Sequence, residues 1–329
     1  MRAVLLFAAV LAAGVAPGAR SAAAINVAAP AGDALAYVGD VPDLAGTTVV
    51  DARAQAACMK SSLRGAHCLP AADFLGPHGR LASFRQIYWL LGTAGLSGRE
   101  HVLVVGDDPT ERDFVAGMLY LCGQAGVSIL KPRISDGAGL RRASIGPGVP
   151  RAMTRNPIYQ AQLRGDDVVL GSELARELAA RDGPPMLDGR SDAEYWGERI
   201  RAGRGGHLPN AQSMPMALAR RDIDDRRLEL PKDRRFVAYG HDAFESVAYF
   251  TLLRAGAGMN DRVLLDGWVD WANHPDLPVA AETWPERSLQ VATPPLPWLS
   301  RWIGPLAVFN AAALMLLAGS LFYVSRPRK

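Results

Sequence analysis

The residues most able to do chemistry in this chain stand in one short loop, residues 240–245, which reads Gly-His-Asp-Ala-Phe-Glu. His241, Asp242 and Glu245 could form a weak metal site, because imidazole and carboxylate ligands suit several divalent ions. The competing interpretation is the capped start of a helix with solvated charges. Ser246 follows directly and is interpreted as an N-cap, since its hydroxyl can accept a hydrogen bond from a first-turn N–H.

The elements on either side of this loop would hold it at the edge of a sheet. Residues 236–239 are a short apolar run with the length of a buried parallel strand. Residues 246–254 carry apolar side chains at helical spacing, and Gly256 is the predicted C-cap. A strand that feeds a loop and then a helix points free N–H groups into the loop, where an anion can bind.

The three cysteines lie elsewhere. Cys58 and Cys68 are close enough to form a disulfide if the chain is exported, and the sequence leaves that pairing open. Cys122 stands in an apolar helical stretch and is predicted to be a buried small hydrophobe. No CxxC and no Cys/His cluster with zinc spacing occurs, so we expect no structural metal and no cofactor.

The N-terminus has the composition of a secretory signal. One arginine precedes an apolar run, and small residues follow a Pro-Gly break. This pattern predicts a signal peptide over residues 1–24. The alternative is an uncleaved membrane anchor, for which the apolar run is short.

The C-terminus predicts a membrane span. Residues 303–324 carry no charge and, at roughly 22 residues, are long enough to cross a bilayer. Two tryptophans precede this stretch, and the basic tail 325–329 follows it. By the positive-inside tendency, the tail is cytoplasmic and the bulk of the chain lies in the periplasm of a bacterium, anchored to the inner membrane.

Charge and composition limit the partners. The chain has a formal net charge of +3, but five of its basic residues lie in the predicted terminal segments. The rest of the chain contains no basic patch with interleaved aromatic residues, so we do not expect it to bind nucleic acid. The expected partners are the membrane and a periplasmic or membrane protein. Small residues in the predicted span could pack closely against such a protein; they are Ala312, Ala318, Gly319 and Ser320.

Two stretches of the chain repeat one order of strands and helices. The first stretch contains, in order, VVDAR, SLRGAHCLPAA and HVLVVGDDPTERDFVAG. The second contains the corresponding segments in the same order: PMLDGR, GGHLPNAQSMPMA and RFVAYGHDAFESVAYF. The alternation predicts an α/β fold with two doubly wound parallel-sheet domains in tandem. We place the domains at residues 25–134 and 168–281. A linker would occupy 135–167, a juxtamembrane linker 282–302, and residues 28–43 are expected to be loosely ordered.

Three sequence motifs of the second stretch resemble those of a known protein family. MLDGRSDAEYWGE, GGHLPNAQSMP and LLDGWVDWANHPDLPV resemble the second domain of a tandem-domain rhodanese, the thiosulfate sulfurtransferase family. The first stretch resembles the non-catalytic N-terminal domain but lacks the closing Gly-Trp phrase. The resemblance covers residues 41–279 and does not extend to the apolar C-terminus.

The resemblance makes the loop the expected site of chemistry, with one residue missing. Active relatives begin this loop with a cysteine whose thiolate accepts a sulfur atom. Gly240 stands at that position here, and Asp107, followed by Asp108, stands in the first-domain loop. The sequence therefore predicts an inactive binding or scaffold module. The alternative is a sulfurtransferase or thiol-redox enzyme that uses Cys58 or Cys68.

Two further residues are ligand-binding candidates by resemblance. Arg190 matches an arginine beside the active loop of tandem rhodaneses, and its structural interpretation is an ion pair with Asp188 or Glu194. Trp268 matches a tryptophan near the pocket and could equally be core packing. Asp51 and Arg53 repeat the Asp-x-Arg motif in the first domain and are interpreted as structural.

Overall fold

The computed structural model describes residues 35–137, 140, 145–155, 157–180, 183–231 and 234–285. The predicted signal peptide, membrane span and tail lie outside these residues. Among the residues described, no helix has the length and apolar character needed to cross a membrane.

The described residues form two units of strands and helices. The first comprises β1 (Leu35–Val38), β2 (Thr47–Asp51), α1 (Gln55–Lys60), β3 (Ser62–Leu63), β4 (His67–Cys68), α2 (Phe84–Thr93), β5 (His101–Val105), α3 (Pro109–Leu121), β6 (Gly126–Leu130) and β7 (Ile145–Gly146). The second comprises β8 (Val168–Val169), α4 (Gly171–Ala179), β9 (Met186–Asp188), α5 (Asp192–Tyr195), β10 (Gly205–His207), β11 (Ala211–Ser213), α6 (Met216–Asp224), β12 (Phe236–Tyr239), α7 (Ala243–Ala257), β13 (Asp261–Leu264), α8 (Gly267–Ala272) and β14 (Ala280–Thr283).

Each unit is built on a five-stranded sheet, and the two sheets have the same strand order. From its first strand, the first sheet runs β1-β6-β5-β2-β4 and the second runs β8-β13-β12-β9-β11. Neighbouring strands within both sheets pair in parallel. The predicted α/β class with parallel sheets is confirmed.

Both faces of the first sheet are covered. Along β5, Val102 and Val104 belong to one buried cluster, and Leu103 and Val105 belong to another. Successive side chains of a strand point to opposite faces, so a strand buried on both faces reads as a continuous apolar run. This explains the sequence HVLVV.

The two units share a continuous apolar contact through α3 and α7. Phe114 and Phe244 lie with ring centroids 4.9 Å apart. Gly117 permits the close approach, because a Cβ there would come within 2.7 Å of Val247 Cγ1. Helix α7 is therefore buried on all sides over residues 246–253, whereas the sequence predicted a single apolar stripe.

Strands occupy three stretches that were expected to be loosely ordered or linker. Residues 35–38, placed in a loosely ordered stretch, form β1 because their backbone pairs with β6. Residues 145–146 of the expected linker form β7 and pair with β3 of the first unit. Strand β14 pairs with β10 and extends the second unit into the expected juxtamembrane linker.

Helix boundaries also differ from those predicted. Helix α7 begins at Ala243 rather than at Ser246, because the Asp242 side chain accepts a hydrogen bond from Glu245 N and caps it. The helix ends at Ala257, and its C-cap is Gly258 rather than the predicted Gly256, with a left-handed φ of 66°. Helix α3 begins in the same way, at Pro109 after the cap Asp108, whose side chain accepts from Thr110 N and Glu111 N.

Candidate functional site

The loop after β12 binds part of its own backbone through nearby side chains. Gly240 N donates to Ser246 Oγ at 2.9 Å, and His241 N donates to Glu245 Oε2 at 3.1 Å. Glu245 N donates to Asp242 Oδ1 at 2.9 Å. Ser246 is thus not the N-cap; it is a buried residue of α7 whose hydroxyl accepts a hydrogen bond from the loop at Gly240 N. Three of the six loop amides, those of Gly240, His241 and Glu245, therefore already have acceptors within the protein and are not available to an external anion.

Arg201 and Glu194 lie next to the loop and are linked to it through Glu245. Arg201 donates to Glu245 Oε1 at 2.9 Å and forms an ion pair with Glu194. Burial opposes the charge of Glu194, yet hydrogen bonds from Arg201 and Ser191 outweigh it and hold the pKa of Glu194 below its usual range. Arg201 therefore neutralises carboxylates of the protein itself.

The backbone at Gly240 leaves no room for a side chain. A Cβ built there would lie 2.6 Å from Glu245 Cβ, 2.7 Å from the Glu245 carbonyl carbon and 2.8 Å from Ser246 N. Two of these three atoms belong to the backbone of α7, which cannot swing aside as a flexible side chain can. The loop is closed against the first turn of its helix at Gly240.

Arg190 is held by protein groups. It is 3% exposed, its NH2 donates to Asp188 Oδ2 at 2.6 Å and to the carbonyl of Gly206 at 2.8 Å, and its guanidinium lies 4.4 Å from the centroid of the Trp268 ring. Of the two ion-pair partners considered from the sequence, the structure contains Asp188. Trp268 is 1% exposed and packs in the core beside this ion pair.

Tyr239 completes this buried network, and sequence reasoning missed it. Its hydroxyl donates to Asp188 Oδ2 at 2.6 Å and accepts from Leu208 N at 3.3 Å. Burial first, and the Asp188 charge second, raise the pKa of Tyr239 well above its ordinary value. A tyrosine at the end of an apolar strand, next to a buried Asp-x-Arg, was the available signal, because a buried phenol needs a hydrogen-bond partner.

His241 is buried and does not join a metal-ligand group. The residue as a whole is 8% exposed. Its Nδ1 has no hydrogen-bond partner, and Glu194 Oε1 lies 4.0 Å from it. Burial and then the Arg201 charge lower the pKa of His241, against the raising effect of nearby carboxylates. Because Asp242 caps α7 and Glu245 pairs with Arg201, the predicted trio does not converge. The residues that the structure describes contain no metal-competent cluster of three such side chains.

The first unit repeats the arrangement with the same strand register, and this register corrects the residue expected to correspond to Gly240. Val105 pairs with Asp51 as Tyr239 pairs with Asp188, so Gly106, rather than Asp107, is equivalent to Gly240. Asp107 lies one residue later and accepts from Arg53 NH1 at 3.2 Å and from Ser135 N at 2.8 Å. Burial opposes its charge, but these hydrogen bonds outweigh it and lower the pKa of Asp107.

The cysteines lie away from both loops. Cys58 and Cys68 form a disulfide with their Cα atoms 5.8 Å apart, and both are fully buried. Gly148 packs against them, since a Cβ there would come within 2.9 Å of Cys68 Sγ. Cys122 is a free, buried cysteine, and burial raises the pKa of its thiol far above the usual range. None of the three places a thiolate at the loop.

A cleft of 710 Å³ lies between the two loops. Its lining combines acidic residues of both units with arginines that are already paired. The acidic residues are Asp108, Glu111, Glu194 and Glu245, and the arginines are Arg190, Arg201 and Arg220. A cleft with this lining favours a neutral or cationic group over an anionic sulfur donor.

Comparison with known proteins identifies the type of domain in the second unit. A family model described as the rhodanese-like domain matches residues 172–274. The thiosulfate sulfurtransferase of Azotobacter vinelandii is 31% identical over 124 residues, which are 34% of this chain and 44% of that relative. The match therefore spans less than half the length of the relative.

Solved structures share the fold over a longer stretch. A probable thiosulfate sulfurtransferase superposes with a TM-score of 0.52 at 24% identity, covering 73% of this chain and 99% of that one. The anaerobic ergothioneine biosynthesis enzyme from Chlorobium limicola, in complex with its natural substrate trimethyl histidine, superposes with a TM-score of 0.56 at 18% identity, covering 74% and 65%. The family model and the sulfurtransferase relative agree with the shared fold, and together they identify residues 172–274 as a rhodanese-like domain.

Proposed function

We propose that this chain carries two rhodanese-like domains in tandem and works as a binding or scaffold module rather than as a sulfurtransferase. The observation that carries the proposal is the closed backbone at Gly240, where a Cβ would come within 2.8 Å of Ser246 N. Sulfur transfer in this family needs a thiolate at that point, because the persulfide forms on it.

The charge around the loop supports the same proposal. Glu245 accepts from the loop amide of His241 at 3.1 Å, so a carboxylate already lies where thiosulfate would bring its charge. Like charges at this distance oppose binding. The cleft instead suits a partner group that is neutral or basic, such as a lysine or arginine side chain of another protein.

The test is cyanide-dependent thiocyanate formation from thiosulfate by the purified full chain. We expect no turnover above the protein-free rate, with an active thiosulfate sulfurtransferase as the positive control. Clear turnover would overturn the proposal. The alternative enzyme, with Cys58 or Cys68 as the sulfur carrier, requires an accessible thiol, whereas both residues are 0% exposed and bridged. Labelling of either cysteine in the native protein would revive it.

The proposed location is the bacterial inner membrane, with the two domains in the periplasm. It rests on the uncharged residues 303–324 and the basic tail behind them. Alkaline extraction of membranes tests the anchor: we expect the chain to stay with the lipid, and its release would contradict a spanning helix. Protection of the domains from protease in intact cells tests the orientation.

A further inference from the structure

A second cavity, of 210 Å³, lies between the two units on the side of the first-unit loop. Tyr37 of β1 and Arg112 of α3 line it from the first unit, and Arg220 and Asp224 of α6 line it from the second. Since one water occupies about 30 Å³ in the liquid, the cavity has room for a small polyatomic ion.

Arg112 is the unusual residue of this cavity. It is 4% exposed, its NH1 donates to the carbonyl of Lys131 at 3.0 Å, and its Nε has no acceptor. No carboxylate in the described part of the chain lies within ion-pair distance of it. The buried carboxylate of Asp113 acts on both Arg112 and Arg220, so two guanidinium groups share one buried counter-charge. An excess of buried positive charge is costly unless a further anion offsets it.

The other cations of the cavity are largely neutralised in pairs. Arg220 lies 2.8 Å from Asp113, and Lys131 lies 2.7 Å from Asp224. Asp107, the remaining carboxylate of the lining, is paired with Arg53, which lies outside the lining. The positive charge left over belongs to Arg112 and to Arg133, which is exposed at the rim.

An unpartnered donor adds to this imbalance. The hydroxyl of Tyr37 is buried beside the side chains of Asp113 and Arg220 without forming a well-aligned hydrogen bond to either, and the tyrosine lines the same cavity. Arginine donors in a fixed fork match the oxygens of a tetrahedral anion. We propose that this cavity binds a small tetrahedral oxyanion of the sulfate, thiosulfate or phosphate class, with Arg112 as its main anchor and Tyr37 and Arg133 as further donors.

This site is separate from the loop of the second unit and does not depend on the proposed function. The test is calorimetric titration of the full chain with sulfate, thiosulfate and phosphate in turn, in a chloride background of matched ionic strength. We expect saturable binding at one site per chain for at least one of the three, and the order of the dissociation constants identifies the ligand.

Two variants and a matched control decide the location. Arg112→Gln should weaken binding by about tenfold or more, the effect of losing a charge-assisted hydrogen bond. Arg133→Ser should weaken it by about threefold, and Arg99→Ser, an equal charge change at an exposed arginine outside the cavity, should leave it unchanged. If Arg112→Gln does not fold, Arg133→Ser against Arg99→Ser decides alone. Absent binding, or equal affinity in all variants, overturns the proposal.

Discussion

The carboxylate of Glu245 folds back over its own loop and accepts a hydrogen bond from the backbone N–H of His241, 3.1 Å from Oε2. Arg201 holds the same carboxylate from the outside, at 2.9 Å. An amide at the start of a helix is where this fold would present a donor to an anionic ligand. The loop thus supplies an anion of its own to this amide, and Glu245 links the loop to Arg201.

A cysteine placed at Gly240 should not produce an active enzyme, because the backbone there leaves no room for its side chain. Because a Cβ at Gly240 meets the backbone of Glu245 and Ser246, Gly240→Cys should lower the free energy of unfolding by about 1–3 kcal/mol or more and yield no thiocyanate activity. Gly106→Cys is the matched control, since a Cβ there would have no neighbour nearer than 3.6 Å. Urea unfolding of both variants measures the contrast. A Gly240→Cys protein as stable as the wild type would show that the loop opens readily.

Two substitutions at Glu245 separate its hydrogen bond from its charge. Glu245→Gln keeps an oxygen that can accept from His241 N, whereas Glu245→Ala removes it and also leaves Arg201 with one carboxylate fewer. We expect the alanine variant to lose about 1 kcal/mol more of unfolding free energy than the glutamine variant. Equal losses in urea titrations would mean that only the charge matters.

The sequence predicted the central strands of the sheets better than two short strands, β1 and β7. Phe236–Tyr239 and the alternation of strands and helices followed from apolar runs alone. Strand β1 was missed because its four residues sit in a Pro/Gly/Ala-rich stretch and gain their order from pairing with β6, a contact far away in sequence. The short strand β7 was missed for the same reason, since β3 supplies its hydrogen bonds.

At the site, residue types were predictable and their pairings were not. Resemblance drew attention to Gly240 and Arg190, but it placed Asp107 in register with Gly240, a position that the strand pairing gives to Gly106. Ser246 was taken for a cap because serine is common there, whereas Asp242 caps the helix. Arg201 gave no signal, because its two partners come together only in the folded loop.

The contact between α3 and α7 gives a prediction about the two units. Alanine in place of glycine usually stabilises an exposed helix by about 1 kcal/mol. Gly117→Ala should do the opposite and cost about 1–3 kcal/mol, because the new methyl group would overlap Thr251 Oγ1 and lie 2.7 Å from Val247 Cγ1.

A second substitution tests the cause. Adding Thr251→Ala removes the hydroxyl oxygen that the new methyl group would strike, so the double variant should recover part of the loss relative to Thr251→Ala alone. Urea unfolding of the four proteins completes the cycle. Strict additivity of the two substitutions would contradict the described packing of α3 on α7.

His241 should make the second domain sensitive to mild acid. Burial and the Arg201 charge lower its pKa from the ordinary 6.5, while Glu245, Asp242 and Glu194 oppose the shift. A histidine with a lowered folded-state pKa binds its proton more readily in the unfolded chain. Its contribution to stability is therefore complete above about pH 6.5 and declines as the pH falls through the folded-state value, by at most about 1.4 kcal/mol per pH unit for one proton.

The check is unfolding free energy from pH 8 to pH 5 for the wild type and His241→Gln. We expect the difference between the two proteins to shrink or reverse towards pH 5, because glutamine has no proton to take up. The comparison also cancels Asp261, whose pKa burial raises to about 8, so that its contribution is lost in the other direction, as the pH rises. A constant difference across the range would mean that the imidazole can be protonated in place, with Glu194 turning to pair with Nδ1 across the present 4.0 Å.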